Sequence, residues 1–302
     1  MNLFFIRTKL QCLIAQHICE KIVPGESYST VFLYQNHREE DAPEVYTVYE
    51  RLRSGAVLSR DVISAKGLLN NVTAILPMML QTRKMGGRCF LSVVDSVPIA
   101  LASKIAHPIR LETFDDGAFN IQPGSRLYGS GPMTGRSFKK ILARLIFPYG
   151  STEWMRQVSC NHYTIFPGKE NILPRSKVVE LNWDWKCLIN PIDLNSLPSK
   201  TKVVILGTPH DEYPDPEASR ETARRLLKNA DLYIRHPREG DWLKDSKARF
   251  FSSPAEAILI KLASLNPLTV YHFNSTAGHT LDGMGNIYLI NLVNPYTRTL
   301  LS

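Results

Sequence analysis

The chain has 302 residues, more than a single hydrophobic core usually organises, so one large domain or two of ordinary size is expected. A hydrophobic fraction of 44% with 21% charged residues excludes a disordered chain, and no apolar run approaches the length that spans a bilayer. The formal charge of +8 points to anionic partners: nucleic acid, an anionic membrane surface or a nucleotide-activated substrate. The basic residues are spread along the chain rather than gathered into runs, which disfavours a dedicated nucleic-acid module. The five cysteines, Cys12, Cys19, Cys89, Cys160 and Cys187, show no metal-ligand spacing and read as reduced core thiols of a cytosolic protein. The opening apolar run, Leu3 to Ile6, is broken at once by Arg7 and Lys9 and is too short for a signal peptide.

That run reads as a buried strand, with Thr8 capping a helix whose apolar face is Leu10, Leu13, Ile14, His17, Ile18 and Ile22. Strand, short turn and helix open a doubly wound sheet. Val31 to Tyr34 gives a second strand, and Leu68 to Met85 a long helix that stops at Gly86-Gly87. Cys89 to Val94 is a near-continuous apolar run, as expected of a parallel strand covered on both faces. A helix over 96–106 and a strand over 109–114 deliver the chain to Asp115-Asp116-Gly117. The stretch 123–200, rich in Pro, Gly, Trp and Tyr, reads as crossover and linker, with a basic helix from Arg136 to Phe147 carrying Lys139, Lys140 and Arg144. Within it, His162 to Pro167 is apolar and aromatic around one histidine and reads as a packed strand rather than a site.

A second alternating unit opens with the strand Lys202 to Leu206, followed by a helix over 216–229 and a strand that ends at His236-Pro237. Ser253 is placed to cap a helix from Pro254 to Leu265, and Leu268 to Phe273 forms a further strand. The predicted fold class is therefore α/β, two doubly wound units facing each other across a cleft, divided into 1–190 and a nucleotide-binding 191–302. In such sheets ligands sit at the carboxyl ends of strands. Three ends in the second unit supply hydroxyls, small residues and helix N-termini suited to a phosphate: Gly207-Thr208, His236-Pro237-Arg238 and Asn274-Ser275-Thr276. Neither the Walker pattern nor the dinucleotide fingerprint is present, so a mononucleotide fits better than ATP or NAD. Asp115 and Asp116 in the first unit are candidates for a general base, and Asp211 or Glu212 is the rival. Adjacent acids suit a metal site less well.

An acid-acid-Gly element, then His-Pro, then a Ser/Thr loop after the following strand is the motif order of bacterial sialyltransferases. The Thr8-Lys9-Leu10-Gln11 turn, Phe114-Asp115-Asp116-Gly117, His162 to Pro167 and Ile234 to Glu239 resemble the lipooligosaccharide sialyltransferases of glycosyltransferase family 52. The resemblance implies a GT-B-like fold of two Rossmann-type domains, a CMP-sialic acid donor, a terminal galactose acceptor on lipooligosaccharide, and inversion without a metal ion. His236 would meet the donor phosphate as a protonated imidazole, Ser275 and Thr276 would help hold it, and Arg235 or Arg238 would add charge. Asp115 or Asp116 would match the base of related sialyltransferase families. Members that place the base in the nucleotide half keep Asp211 in contention. The family also contains glucosyl-transferring members, and some members dimerise by exchanging segments. A lipid-linked acceptor implies a cytoplasmic enzyme peripheral to the inner face of the inner membrane, in keeping with the positive charge. Two other readings stand beside this one: the same fold with another nucleotide sugar, and a basic non-enzymatic protein that binds nucleic acid or membrane.

Overall fold

A computed structural model describes residues 1–34, 43–63, 67–92, 94–107, 109–123, 125–128, 146–147, 149–185, 195–236, 238–294 and 299–301, with 43–48, 63 and 126 described by backbone alone. Pro237, Cys187 and the expected basic helix residues Arg136, Lys139, Lys140 and Arg144 lie outside the described residues. The chain divides into two units, Met1–Leu181 and Asn182–Ser302.

The first unit is a parallel sheet of β1 (Asn2–Ile6), β2 (Tyr28–Tyr34), β3 (Ser59–Ile63), β4 (Arg88–Leu91), β5 (Arg110–Phe114), β6 (Ser159–Thr164) and β7 (Val178–Glu180), in the order β3-β2-β1-β4-β5-β6-β7. All five residues of β1 are buried, as the continuous apolar run requires of a strand covered on both faces. Helix α1 (Lys9–Lys21) starts from a capping box: the Thr8 hydroxyl accepts the Gln11 N–H, and the Gln11 side chain returns to the Thr8 N–H. Further helices are α2 (Pro43–Ser54), α3 (Leu68–Lys84), α4 (Val97–Ile105) and α5 (Ser151–Val158). Sequence reading passes over α2 and β3. It also assigns 123–200 to crossover and linker, whereas 151–180 supplies α5 and two more strands of this sheet.

The second unit is a parallel sheet of β8 (Val203–Leu206), β9 (Leu232–Ile234), β10 (Ala248–Arg249), β11 (Leu268–His272) and β12 (Ile287–Asn291), in the order β10-β9-β8-β11-β12. Helices α6 (Pro216–Leu227), α7 (Ala255–Ala263) and α8 (Thr276–Thr280) complete it. Side chains alternate between two cores. Ile205 and Tyr233 pack with Ala223 and Leu227 of α6 on one face, and Val204, Leu206, Leu232 and Ile234 pack with Ile258, Leu259 and Leu262 of α7 on the other. At about 1.5–3 kcal/mol for each fully buried aliphatic side chain, this two-sided burial is what holds so short a set of strands. The cap of α7 differs by one residue from expectation: Pro254 itself is the N-cap, and no side-chain cap bond forms. Strand order runs outward from β8 through β9 to β10, then restarts on the other side with β11. The topological switch point, where ligands bind in open α/β sheets, therefore lies between β8 and β11.

Candidate functional site

The three phosphate-loop candidates of the second unit follow neighbouring strands, β9, β8 and β11. Strands sit about 4.8 Å apart, so the two outer loops start roughly 10 Å from each other, close enough to reach one small ligand from both sides. The loops are also tied together. Gly207 N–H donates to Ile234 O at 2.8 Å, and a Cβ on Gly207 would lie 2.1 Å from Glu239 Oε2 and 3.0 Å from His236 N, so not even alanine has room. The Tyr213 hydroxyl donates to Phe273 O at 2.7 Å and sits 3.2 Å from Thr208 Oγ1, which joins the β8 loop to the end of β11.

His236 is half-buried at the end of β9. Its Nδ1 accepts the Arg238 backbone N–H at 3.1 Å, which leaves the proton of the neutral ring on Nε2. Burial, reinforced by the Arg238 charge, pushes its pKa down to about 4. In the ligand-free protein the ring is therefore neutral with Nε2–H as its available donor, where the sequence leads to the expectation of an imidazolium against the donor phosphate. Arg235 is already committed to Asp241 at 3.2 Å, to the Leu243 carbonyl and to the Phe250 ring, so it adds no free charge. Arg238 pairs with Glu212 and spans from the His236 turn to the β8 loop.

Asn274 takes the left-handed backbone conformation, φ 56°, a state that asparagine tolerates better than most residues. Its Oδ1 is 2.9 Å from His279 Nε2. Ser275 caps α8 by accepting the Gly278 N–H at 3.1 Å, and the Ser275 N–H donates to His272 Nδ1 at 3.2 Å. Thr276 begins that helix. Because α8 is only five residues long, its dipole is small, and the loop offers hydroxyls more than a helix field.

Asp211 stands in a single 3-10 turn after β8, paired with Arg220, its side chain 76% exposed. The neighbouring His210 is a packed residue: it is buried between the edges of Trp242 and Phe273, its Nδ1 is 2.7 Å from Ser219 Oγ, and burial lowers its pKa to about 4.

Sequence reasoning missed Glu256. It lies in the first turn of α7, at the same carboxyl edge of the sheet, and it is buried, which raises its pKa to about 7. An acid two residues after Ser-Pro was the available signal. A folded-state pKa above the ordinary 4.5 means that Glu256 favours folding fully below pH 4.5 and loses that contribution as pH rises through 7. At about 1.4 kcal/mol per unit the penalty at pH 8 is roughly 3 kcal/mol, larger than the ~0.3–1 kcal/mol a carboxylate gains near a helix N-terminus. Glu256→Gln should therefore melt higher than the parent at pH 8 and match it at pH 4.5. Equal melting temperatures at pH 8 would contradict the assignment.

In the first unit the two adjacent acids have different roles. Asp115 is fully buried: Oδ1 is 2.9 Å from His162 Nε2, and Oδ2 accepts from Thr164 Oγ1 at 2.8 Å and from Ile165 N–H at 2.6 Å. The β5–β6 register, Thr113 opposite His162, delivers that histidine, whose Nδ1 is 2.9 Å from Thr113 Oγ1. Both oxygens of Asp115, expected as one of the candidate bases, are engaged away from solvent, the setting of a structural carboxylate rather than of a group that meets an acceptor. Asp116 is half-buried and reachable. It is oriented by the Gln11 side-chain amide, and its own N–H donates to Asn120 Oδ1 at 2.6 Å. Gln11 also accepts the Arg7 N–H at 2.6 Å, so the turn after β1 holds the end of β5.

With this geometry in place, residues 29–296 match the model of glycosyltransferase family 52. The chain is 27% identical over 248 residues, 79% of its length and 73% of the relative's, to a CMP-N-acetylneuraminate:beta-galactoside alpha-2,3-sialyltransferase of Pasteurella multocida. It is 26% identical over 313 aligned positions, 97% of its length and 78% of the relative's, to an N-acetyllactosaminide alpha-2,3-sialyltransferase of Neisseria meningitidis. Among solved structures it is similar in fold to a protein assigned as a UDP-N-acetylglucosamine 2-epimerase of Listeria monocytogenes, TM-score 0.55 at 12% identity, covering 97% of this chain and 79% of that one. A Photobacterium 2,6-sialyltransferase solved with CMP and lactose gives a TM-score of 0.50 at 11% identity, covering 97% and 72%.

Proposed function

Because the chain belongs to glycosyltransferase family 52, we propose that it transfers sialic acid from CMP-sialic acid to a terminal galactose, forming an α-2,3 linkage with inversion. The observation that carries the donor is that both relatives, matched over most of this chain, bear the name of alpha-2,3-sialyltransferases. The carboxyl rim of the second unit fits such a donor: hydroxyls at Thr208, Ser275 and Thr276, and a neutral imidazole at His236.

The reaction follows from the donor's chemistry. Its anomeric carbon carries a carboxylate and no neighbouring hydroxyl, so the bond to CMP breaks toward an oxocarbenium-like state, and the electron pair leaves with one phosphate. His236 Nε2–H, donating to that phosphate, meets charge as it develops. A carboxylate takes the proton of the attacking galactose hydroxyl as the new C–O bond forms on the opposite face. Asp116, Asp211 and Glu212 are the candidate acids that reach solvent, and the partners that engage both oxygens of Asp115 speak against it as the base. A departing monophosphate needs less neutralisation than a pyrophosphate, so the reaction needs no metal. The lipooligosaccharide acceptor and peripheral contact with an anionic membrane complete this reading, supported by the charge of +8. Among the described residues no helix is long and apolar enough to cross a membrane.

The test is ligand-dependent melting together with turnover. CMP should raise the melting temperature more than UDP or GDP does, and transfer from CMP-sialic acid should survive a chelator. Preferential stabilisation by UDP would favour the reading with another nucleotide sugar, and loss of activity with chelator would remove metal independence.

A further inference from the structure

The turn that presents His236 is built on a buried carboxylate for which the chemistry above has no use. Glu239 N–H donates to His236 O at 2.9 Å and closes the turn. The Glu239 side chain then folds back beneath it. Oε2 accepts the His236 N–H at 3.1 Å, and Oε1 accepts both the Tyr233 hydroxyl at 2.7 Å and the Trp242 Nε1–H at 2.6 Å. Gly207, just past the end of the neighbouring strand β8, lacks the Cβ that would occupy the space of Oε2. Tyr233 is a fully buried residue of β9, so Oε1 is fixed to the sheet while Oε2 is fixed to the histidine.

Among the described residues no lysine or arginine forms an ion pair with Glu239, and the nearby Arg235 is spent on Asp241 and the Leu243 carbonyl. Burying a carboxylate without a cation is costly, and burial does raise its pKa. A glutamine in the same place could still satisfy Tyr233 and Trp242 through its oxygen. It would then turn an NH2 group toward the His236 N–H, donor against donor. The one contact that requires the second oxygen is the one to His236.

We propose that Glu239 is the positioning residue for His236, clamping the backbone of its turn to β9 so that Nε2–H is held toward the leaving phosphate. This rests on the assignment of His236 above. Donor hydrogen bonds stabilise a developing charge only when aimed where that charge will be, so an imidazole on a loosened turn loses its contribution without leaving the protein.

A double-mutant cycle tests it, with kcat for CMP-sialic acid and lactose as the readout. Glu239→Gln alone should lower kcat about ten- to a hundredfold, with the donor KM changed by less. In a His236→Ala background, Glu239→Gln should have no further effect beyond about twofold, because the group it positions is gone. Two results overturn the proposal: wild-type kcat in Glu239→Gln, or losses that multiply in the double variant, which would mark a general structural role. A His236→Ala variant with unimpaired turnover would instead sink the assignment of His236 itself. Should Glu239→Gln fail to fold, Trp242→Phe removes one donor to Oε1, and the same non-additivity with His236→Ala decides.

Discussion

Asparagine at the general base should lower kcat by about a hundred- to ten-thousandfold, because the acceptor hydroxyl then has to lose its proton to water. Asp116→Asn, Asp211→Asn and Glu212→Gln separate the candidates: one should show that loss and the others stay within a few-fold of the parent. Their settings differ. Asp116 is held by the Gln11 amide on a short turn, whereas Asp211 is exposed and paired with Arg220. Asp115→Asn gives a contrasting result. It breaks a network of His162, Thr164 and the Ile165 N–H in the interior, and its expected signature is a fall in melting temperature, with turnover per folded molecule retained. Removing one partner of a buried charge network costs about 3–5 kcal/mol. Full activity in Asp116→Asn, Asp211→Asn and Glu212→Gln alike would rule out this carboxylate chemistry.

His236→Ala should lower kcat by at least about ten- to a hundredfold, since a hydrogen bond to a charged group contributes about 1.5–3 kcal/mol and each 1.36 kcal/mol is a factor of ten. The pH dependence distinguishes how the ring acts. In the free enzyme its pKa is pushed down to about 4, and kcat/KM reports free-enzyme ionisations. The neutral Nε2–H form then predominates from about pH 5.5 upward, and kcat/KM should show no histidine limb between pH 6 and 8. A decline in kcat/KM as pH rises through 6.5, abolished in His236→Ala, would mean that the imidazolium is the acting species.

Much of this arrangement is legible in the sequence because local chemistry and burial agree there. The apolar run of β1, the Thr8 cap and the strands before Gly207 and His236 each carry a continuous or periodic pattern that a buried parallel strand or amphipathic helix demands. The strands missed are those whose burial is partial. β3 reads Ser-Arg-Asp-Val-Ile at the sheet edge, β10 is two residues long, and β12 alternates between buried and exposed at a sheet edge. β6 overlaps the packed strand expected at His162 to Pro167, whereas β7 lies among prolines, glycines and tryptophans whose loop chemistry obscures it.

The site is legible as residue types but not as protonation states or partners. Nothing local distinguishes Asp115 from Asp116. The distinction comes from His162, 47 residues away, and from Gln11, 105 residues away, brought in by sheet register and by a helix cap. His236 is marked by its proline, yet its neutral state depends on the Arg238 N–H and on burial, which only the folded turn provides. Glu239, three residues on, carries no signal of its own until Tyr233 and Trp242 converge on it in the fold.

The most direct test is a crystal structure with CMP bound. The account predicts a phosphate oxygen about 3 Å from His236 Nε2, with the Ser275 and Thr276 hydroxyls on the same phosphate. A nucleotide seated on the rim of the first unit, or a phosphate with no contact to His236, would contradict it.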